Sequence, residues 1–174
     1  MFLNLKKNKT NDKKLYNKIL LLSRNKLFYV RFDVSDTFTN RINLIFLHIS
    51  FLFVKLKLEK NVSFYKSFNQ NIFDLMFNSI EINMREIGYG DTNINKSMKM
   101  LVKSFYNILL YCEKYKTMTT KDKEIFFNDY LTFNNVEKNA YMGELIDYFN
   151  HYQAFCFDLN SDSVLRGDLI FKYK

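Results

Sequence analysis

Apolar positions along this chain recur mostly at helical spacing. Phe68, Ile72, Met76, Ile80, Met84 and Ile87 step by four or three residues and share one helical face, while Asp74, Asn78, Glu81 and Arg85 step the same way on another. Ile94, Met98, Leu101, Phe105, Leu109 and Cys112 form a second apolar stripe beside a basic one, Lys96, Lys99 and Lys103. Between the two runs, Met84-Arg85-Glu86-Ile87-Gly88-Tyr89-Gly90-Asp91 holds two of the four glycines of a chain without proline. Gly88 can adopt the left-handed conformation that ends a helix, and Asp91 can accept from the free N–H groups that begin the next. The prediction is a packed αα-hairpin with a tight corner shaped by Gly88 and Gly90.

The same reading extends to both sides. Leu15, Ile19, Leu22 and Leu27 predict a first helix that frays at Asn25. A second starts near Asp36-Thr37, either of which can cap it. Its middle, Leu44 to Val54, is the most apolar stretch of the chain; Arg41, His48 and Lys55 recur every seven residues on one side, and Asn43, Ser50 and Lys57 nearly opposite. Apolar flanks between two polar ridges suit a central helix. A membrane span needs about 20 predominantly apolar residues, and Arg41, His48 and Lys55 interrupt this run too early. Lys57 to Ser63 and Tyr115 to Thr120 read as connections. Thr119 or Thr120 caps a helix with Ile125, Phe126, Phe127, Tyr130 and Leu131, which Asn134 and Asn135 break. A last long helix runs from about Asn139 toward Leu159, and Ser161 caps a short turn ending at Gly167. The expected fold is all-α: a single-domain, compact bundle of about six to seven helices over residues 15–174, after a basic, flexible leader at 1–14.

Composition adjusts this picture in three places. A chain of 174 residues is long enough for one substantial core, and 19 Phe and 12 Tyr with no Trp mean that aromatic rings build that core or a binding groove. The net charge of +8 rests chiefly on lysine, with Lys6, Lys7, Lys9, Lys13, Lys14 and Lys18 clustered near the start. Such a surface attracts RNA, ribosome or anionic lipid, whereas a lysine point charge lacks the planar fork that reads bases, so specific DNA recognition is disfavoured. The leading residues lack the apolar core of a secretory signal and the Arg- and Ser-rich character of a transit peptide, which points to a cytoplasmic protein.

Candidate chemistry is sparse. Cys112 and Cys156 are far apart with no metal or redox spacing and read as buried thiols. His48 and His151 lie in different helices without ligand motifs, and His48 reads as a hydrogen-bonded core or interface residue. Glu81 and Arg85 have the i, i+4 order of a helical ion pair. Gly88-Tyr89-Gly90 lacks the strand and the Gly-Lys-Ser/Thr of a phosphate loop. No catalytic residue, metal site or cofactor is predicted.

The residues around the corner also carry a resemblance. Phe73-Asp74, Phe77, Asn83-Met84-Arg85-Glu86, Gly88, Gly90-Asp91, Lys96, Met98-Lys99 and Phe105-Tyr106 resemble the signature of the ubiquinol–cytochrome c chaperone family, assembly factors for the cytochrome bc complex. A second block, Asp36-Thr37-Phe38, Arg41, Leu44 and Leu47-His48, resembles that family's earlier element, and Leu165 to Phe171 echoes its end. Ser35, Asn40, Asn95 and the pair Asn107-Ile108 depart from the pattern. The resemblance implies a non-enzymatic chaperone that binds newly made cytochrome b. The implied partners are the ribosome near the tunnel exit and a small helical protein. The implied place is the cytoplasm or the inner face of the membrane, or the mitochondrial matrix side in a eukaryote. On that expectation Asp36, Arg41, His48, Arg85, Glu86 and Asp91 lie at or beneath the client or partner surface. The alternative is a basic helical RNA- or ribosome-binding module without a bc-complex role.

Overall fold

The computed structural model describes residues 2–59, 62–135 and 141–173. Among them the chain is all-α. Helix α1 spans Phe2–Ser23, α2 Leu27–Val30, α3 Phe38–Lys57, α4 Val62–Glu86, α5 Asp91–Lys114, α6 Thr120–Tyr130, α7 Met142–Asp158 and α8 Ser161–Leu165, with a 3₁₀ turn at Tyr115–Thr117. Two of these, α2 and α8, are single turns, and the one β-type pairing among the described residues is an isolated bridge between Val34 and Phe133.

Helix α3 is the axis of the molecule, packed by α1, α4, α5 and α7. Thr37 caps it as expected, its side chain accepting from the Asn40 amide. The two polar ridges, however, do not face solvent at mid-helix: Asn43, His48 and Ser50 are all buried. Neighbouring helices cover them because α3 is surrounded on both flanks, and each must then find a partner inside or go without. Asn43 donates to the Tyr130 carbonyl at 2.6 Å, and His48 bridges to α7. Against α3 the aromatic residues interlock edge to face, as Phe46 with Phe105 at 5.3 Å and Phe51 with Tyr115 at 5.1 Å. The abundance of Phe and Tyr is thus chiefly a core property. Cys112 and Cys156 are buried and free, and burial raises both thiol pKa values.

The first helix differs from expectation at both ends. It begins at Phe2, within the stretch read as a leader, and Asp12 is already buried against α4, where it accepts from Asn71 at 3.3 Å. Of the lysine cluster, Lys6, Lys7 and Lys9 have side chains outside the described set. It ends at Ser23, and Leu27 starts α2 instead, its amide bonded to Asn25 Oδ1 at 3.0 Å. This extra turn drives Phe28 into the core.

A loop pair then ties the front of α3 to the end of α6. Asp33 holds a left-handed φ of 58°, and its carboxylate accepts from the Asn135 amide at 2.9 Å and from both asparagine side chains. Asn134 and Asn135 therefore brace this turn rather than simply breaking α6, which stops earlier, at Tyr130. Asn40, a departure from the family pattern, is buried beside it. Its amide donates to the carbonyls of Ser35 at 2.7 Å and Thr132 at 2.9 Å, and its Oδ1 accepts from Thr132 N–H at 3.1 Å.

Thr119 caps α6 through a reciprocal capping box with Asp122. The expected start of the last long helix near Asn139 lies outside the described residues. Asn160, not Ser161, caps α8; Ser161 bonds Glu59 instead. Gly167 (φ +71°) then turns the chain so closely over α1 that a Cβ there would sit 2.9 Å from the Asn11 carbonyl oxygen. Lys14 pairs with Asp168 at 2.6 Å, and Phe171 lies 5.1 Å from Tyr152, so the final segment seals α1 and α7 together.

Candidate functional site

The α4–α5 corner is a Schellman turn. Tyr89 N–H bonds the Met84 carbonyl and Gly88 N–H the Arg85 carbonyl, both at 3.0 Å, with Gly88 at φ +91°. Gly88 thus carries the reversal. Gly90 sits at the cap of α5 with φ −73°, ψ 154°, a conformation open to any residue, and nothing lies near its Cβ direction. Asp91 is not the cap. It occupies the first turn of α5, and its carboxylate takes Arg85 Nη1 at 2.6 Å, while Arg85 Nη2 reaches Glu81 at 2.9 Å. Arg85 therefore bridges the corner, and the two carboxylates raise its pKa further.

The earlier block builds a second structure. Arg41 makes a bidentate pair with Asp36, Nε to Oδ1 at 2.6 Å and Nη2 to Oδ2 at 2.8 Å, which holds the Asp36 carboxyl below its ordinary pKa. The guanidinium also lies 6.0 Å from the Tyr29 ring centre. His48 is elsewhere. It is fully buried, with Nδ1 2.6 Å from the Leu44 carbonyl oxygen and Nε2 2.9 Å from Tyr148 Oη, so it is a core residue and touches no outer surface.

What joins Arg41 to Glu86 is a cavity of about 600 Å³ between α1, the start of α3 and the end of α4. Its floor is apolar, including Leu20, Ile42, Ile45, Leu75 and Ile80, and its rim carries Lys13, Arg24, Arg41 and Glu86. Among the described residues Lys13 and Arg24 have no ion pair. A concave apolar floor ringed by a few charges is the usual form of a binding site. Of the six residues expected at a partner surface, Arg41 and Glu86 line this groove and Asp36 clamps Arg41. Arg85 and Asp91 neutralise one another outside it, and His48 lies in the core. The sequence reading missed the α1 wall, although Lys13, Asn17, Leu20 and Arg24 stand at i, i+4, i+7 and i+11, a single helical face.

The profile of the family described as "Ubiquinol-cytochrome C chaperone" matches residues 30–171. The chain belongs to that chaperone family. A crystal structure of the Cbp3 homolog from Brucella abortus resembles it with a TM-score of 0.83, over 99% of this chain and 97% of that one, at 23% sequence identity. At that identity the likeness speaks for a shared fold. No curated protein sequence matched. The family match begins at α2, so the groove combines a wall inside it, from α3 and α4, with a wall outside it, from α1. Among the described residues, no helix of this family member is long and apolar enough to cross a membrane, and no three His, Cys, Asp or Glu residues are placed to hold a metal ion.

Proposed function

We propose that this chaperone assists assembly of ubiquinol–cytochrome c reductase by holding an apolar segment of newly made cytochrome b in the α1/α3/α4 groove, without catalysing a reaction. The observation that carries the reading is the groove itself, an apolar floor within a member of this family, rimmed by the Arg41 and Glu86 of its two signature blocks. An amphipathic or apolar helix laid in such a groove buries its face against Ile42, Ile45 and Ile80 while Lys13 and Arg24 meet flanking acidic groups. The net charge of +8 supports a second, weaker contact with an anionic surface, either the ribosome near its tunnel exit or the inner face of the membrane. A small helical partner protein would complete the complex. Such a role places the protein in the cytoplasm or against that membrane face.

Gene deletion tests the reading. Loss of spectrally detectable b-type haem and of assembled bc complex is expected, and normal levels of both would sink it. Restoring the gene with Lys13 and Arg24 both changed to Glu separates groove from fold, because both side chains are exposed. That variant should remain folded but capture less cytochrome b. Association with bulk RNA that vanishes with salt, in place of salt-resistant co-purification with cytochrome b, would also count against it.

A further inference from the structure

Helix α5 presents one side to α3 and leaves the other uncovered. Phe105, Ile108 and Cys112 are buried and share the arc that faces the bundle. On the opposite arc stand Lys96, Lys99, Met100, Lys103, Tyr106 and Leu110, which at about 100° per residue fall within roughly 120° of one another and run for about 21 Å. Two observations set this face apart. The three lysines are exposed and have no ion pair among the described residues, whereas both acids of α5 are taken, Asp91 by Arg85 at 2.6 Å and Glu113 by Lys57 at 2.7 Å. Beside the lysines Met100 is 64% exposed, Tyr106 52% and Leu110 56%, and no other helix carries as many exposed large apolar side chains among the described residues. Free positive charge and uncovered apolar surface therefore coincide on one helix.

We propose that the outer face of α5 docks on the surface of an anionic bilayer. The lysine ammonium groups meet lipid phosphates, while their methylene stems and the Met100 and Leu110 side chains enter the boundary between headgroups and acyl chains. Charge attracts the helix to the surface, and the apolar side chains hold it there. The same chemistry favours a bilayer over RNA. A nucleic-acid backbone would satisfy the lysines but lay phosphates over Met100 and Leu110, which offer no ring for a base to stack on. A bilayer satisfies both kinds of side chain. Helix α4 packs against both α1 and α5, so the α1/α3/α4 groove is a separate surface, and one molecule can hold a client and lie on a bilayer at once. The inference rests on the chaperone reading for its purpose, and it commits the weaker anionic contact to one partner and one place.

Sedimentation of the full chain with lipid vesicles tests the proposal. The chain should bind vesicles rich in phosphatidylglycerol and bind pure phosphatidylcholine little. Changing Lys96, Lys99 and Lys103 together to Glu should weaken that binding at least about tenfold. The same change of charge at Lys26, Lys121 and Lys172, exposed lysines on other segments, should weaken it far less. Met100→Ser combined with Leu110→Ser should weaken vesicle binding severalfold and leave retention of RNA unchanged. Because the chain contains no Trp, Leu110→Trp puts a single indole on this face, and Ile170→Trp puts one at an exposed position elsewhere. On anionic vesicles the first should shift to the blue and be quenched by lipids brominated in the acyl chain, and the second should do neither. Equal losses from the two lysine sets would reduce the effect to net charge and overturn the proposal. An unshifted indole at position 110, or vesicle binding untouched by the two serines, would overturn it too. So would binding of RNA through Lys96, Lys99 and Lys103 without binding to vesicles, which would assign the face to nucleic acid. If gene deletion depletes b-type haem while the chain ignores vesicles, the α5 inference fails and the assembly role stands. If vesicle binding follows α5 and deletion leaves b-type haem normal, the role fails and the docking face stands.

Discussion

His48 makes the stability of this protein depend on pH in a calculable way. A carbonyl oxygen only accepts, so the 2.6 Å contact with Leu44 requires the proton on Nδ1, and Nε2 then accepts from the Tyr148 hydroxyl at 2.9 Å. Native His48 is a neutral imidazole, and burial lowers its pKa from 6.5 to about 4. Between those values the unfolded chain binds the proton and the native chain does not, so stability falls as pH falls. The neutral ring's contribution is fully present above about pH 6.5 and is lost toward about pH 4. From about pH 7 to about pH 5 the two pKa values give a loss of about 2 kcal/mol. With a urea dependence of about 2 kcal/mol per molar, the unfolding midpoint drops by about 1 M. His48→Phe removes the titration and leaves Tyr148 Oη without its partner. It should cost about 1–3 kcal/mol at neutral pH but flatten the slope below it. Burial raises the pKa of Asp12, which acts with the opposite sign, but Asp12 is present in both proteins and cancels in their difference. Urea unfolding followed by helical circular dichroism at the two pH values decides the matter. Parallel loss of midpoint in the two proteins would refute the reasoning.

Other positions give independent tests. Asn40→Ala leaves the Thr132 N–H without its partner near the core and takes one of two hydrogen bonds from each of the Ser35 and Thr132 carbonyls, which keep the Thr37 and Ser35 N–H groups, and should cost about 1–3 kcal/mol in urea unfolding; an unchanged midpoint would mean that the Asn40 side-chain bonds contribute nothing. Gly167→Ala meets both a positive φ and the Asn11 backbone, whereas Gly88→Ala meets the positive φ alone in open space. The second should cost about 1 kcal/mol and the first clearly more, and the reverse order in melting temperature would contradict the packing described. Arg85→Ala removes an exposed bridge and should change stability by less than about 1 kcal/mol, with cytochrome b capture unaltered; a large loss of capture would return the corner to the recognition surface. Thr119→Ala, which removes the side-chain half of the capping box and leaves the bond from the residue 119 N–H to the Asp122 carboxylate, should cost about 1 kcal/mol by the same unfolding assay.

The helices were legible because their apolar residues repeat at helical spacing, and the corner because a Gly in this sequence is rare enough to mark φ > 0. Asn40, Asn134 and Asn135 were not. Each looked like a polar substitution or a helix breaker, yet each bonds across the gap between residues 33–40 and 132–135, a contact that no local pattern encodes. Spacing alone placed α3 at the centre but left the covering of its polar ridges open, for a related reason. Seven-residue recurrence of Arg41, His48 and Lys55 locates a stripe on a helix but cannot say whether another helix covers it, and α7 covers its middle. The groove fell between these cases. Its α3 and α4 walls lie within the two signature blocks, but its α1 wall was hidden by the more obvious Leu15, Ile19 and Leu22 face.

Charge pairing separates the signature residues from one another. Arg85 faces Glu81 and Asp91 within the same hairpin, so a client carboxylate would have to displace existing partners to reach it. Surface ion pairs are weak, but displacing one gains nothing unless the replacement is better. Arg41 is likewise held by Asp36, though it differs in standing at the rim of an apolar cavity, where an incoming group is partly desolvated and each remaining charge counts for more. The corner is therefore best understood as the device that sets α4 against α5. Its Schellman turn fixes where Asn83, Glu86 and Ile87 end, and so fixes one end of the groove. Under the proposed function, the block that most resembles the family would act on the client at one remove, through the shape it gives the α1/α3/α4 surface.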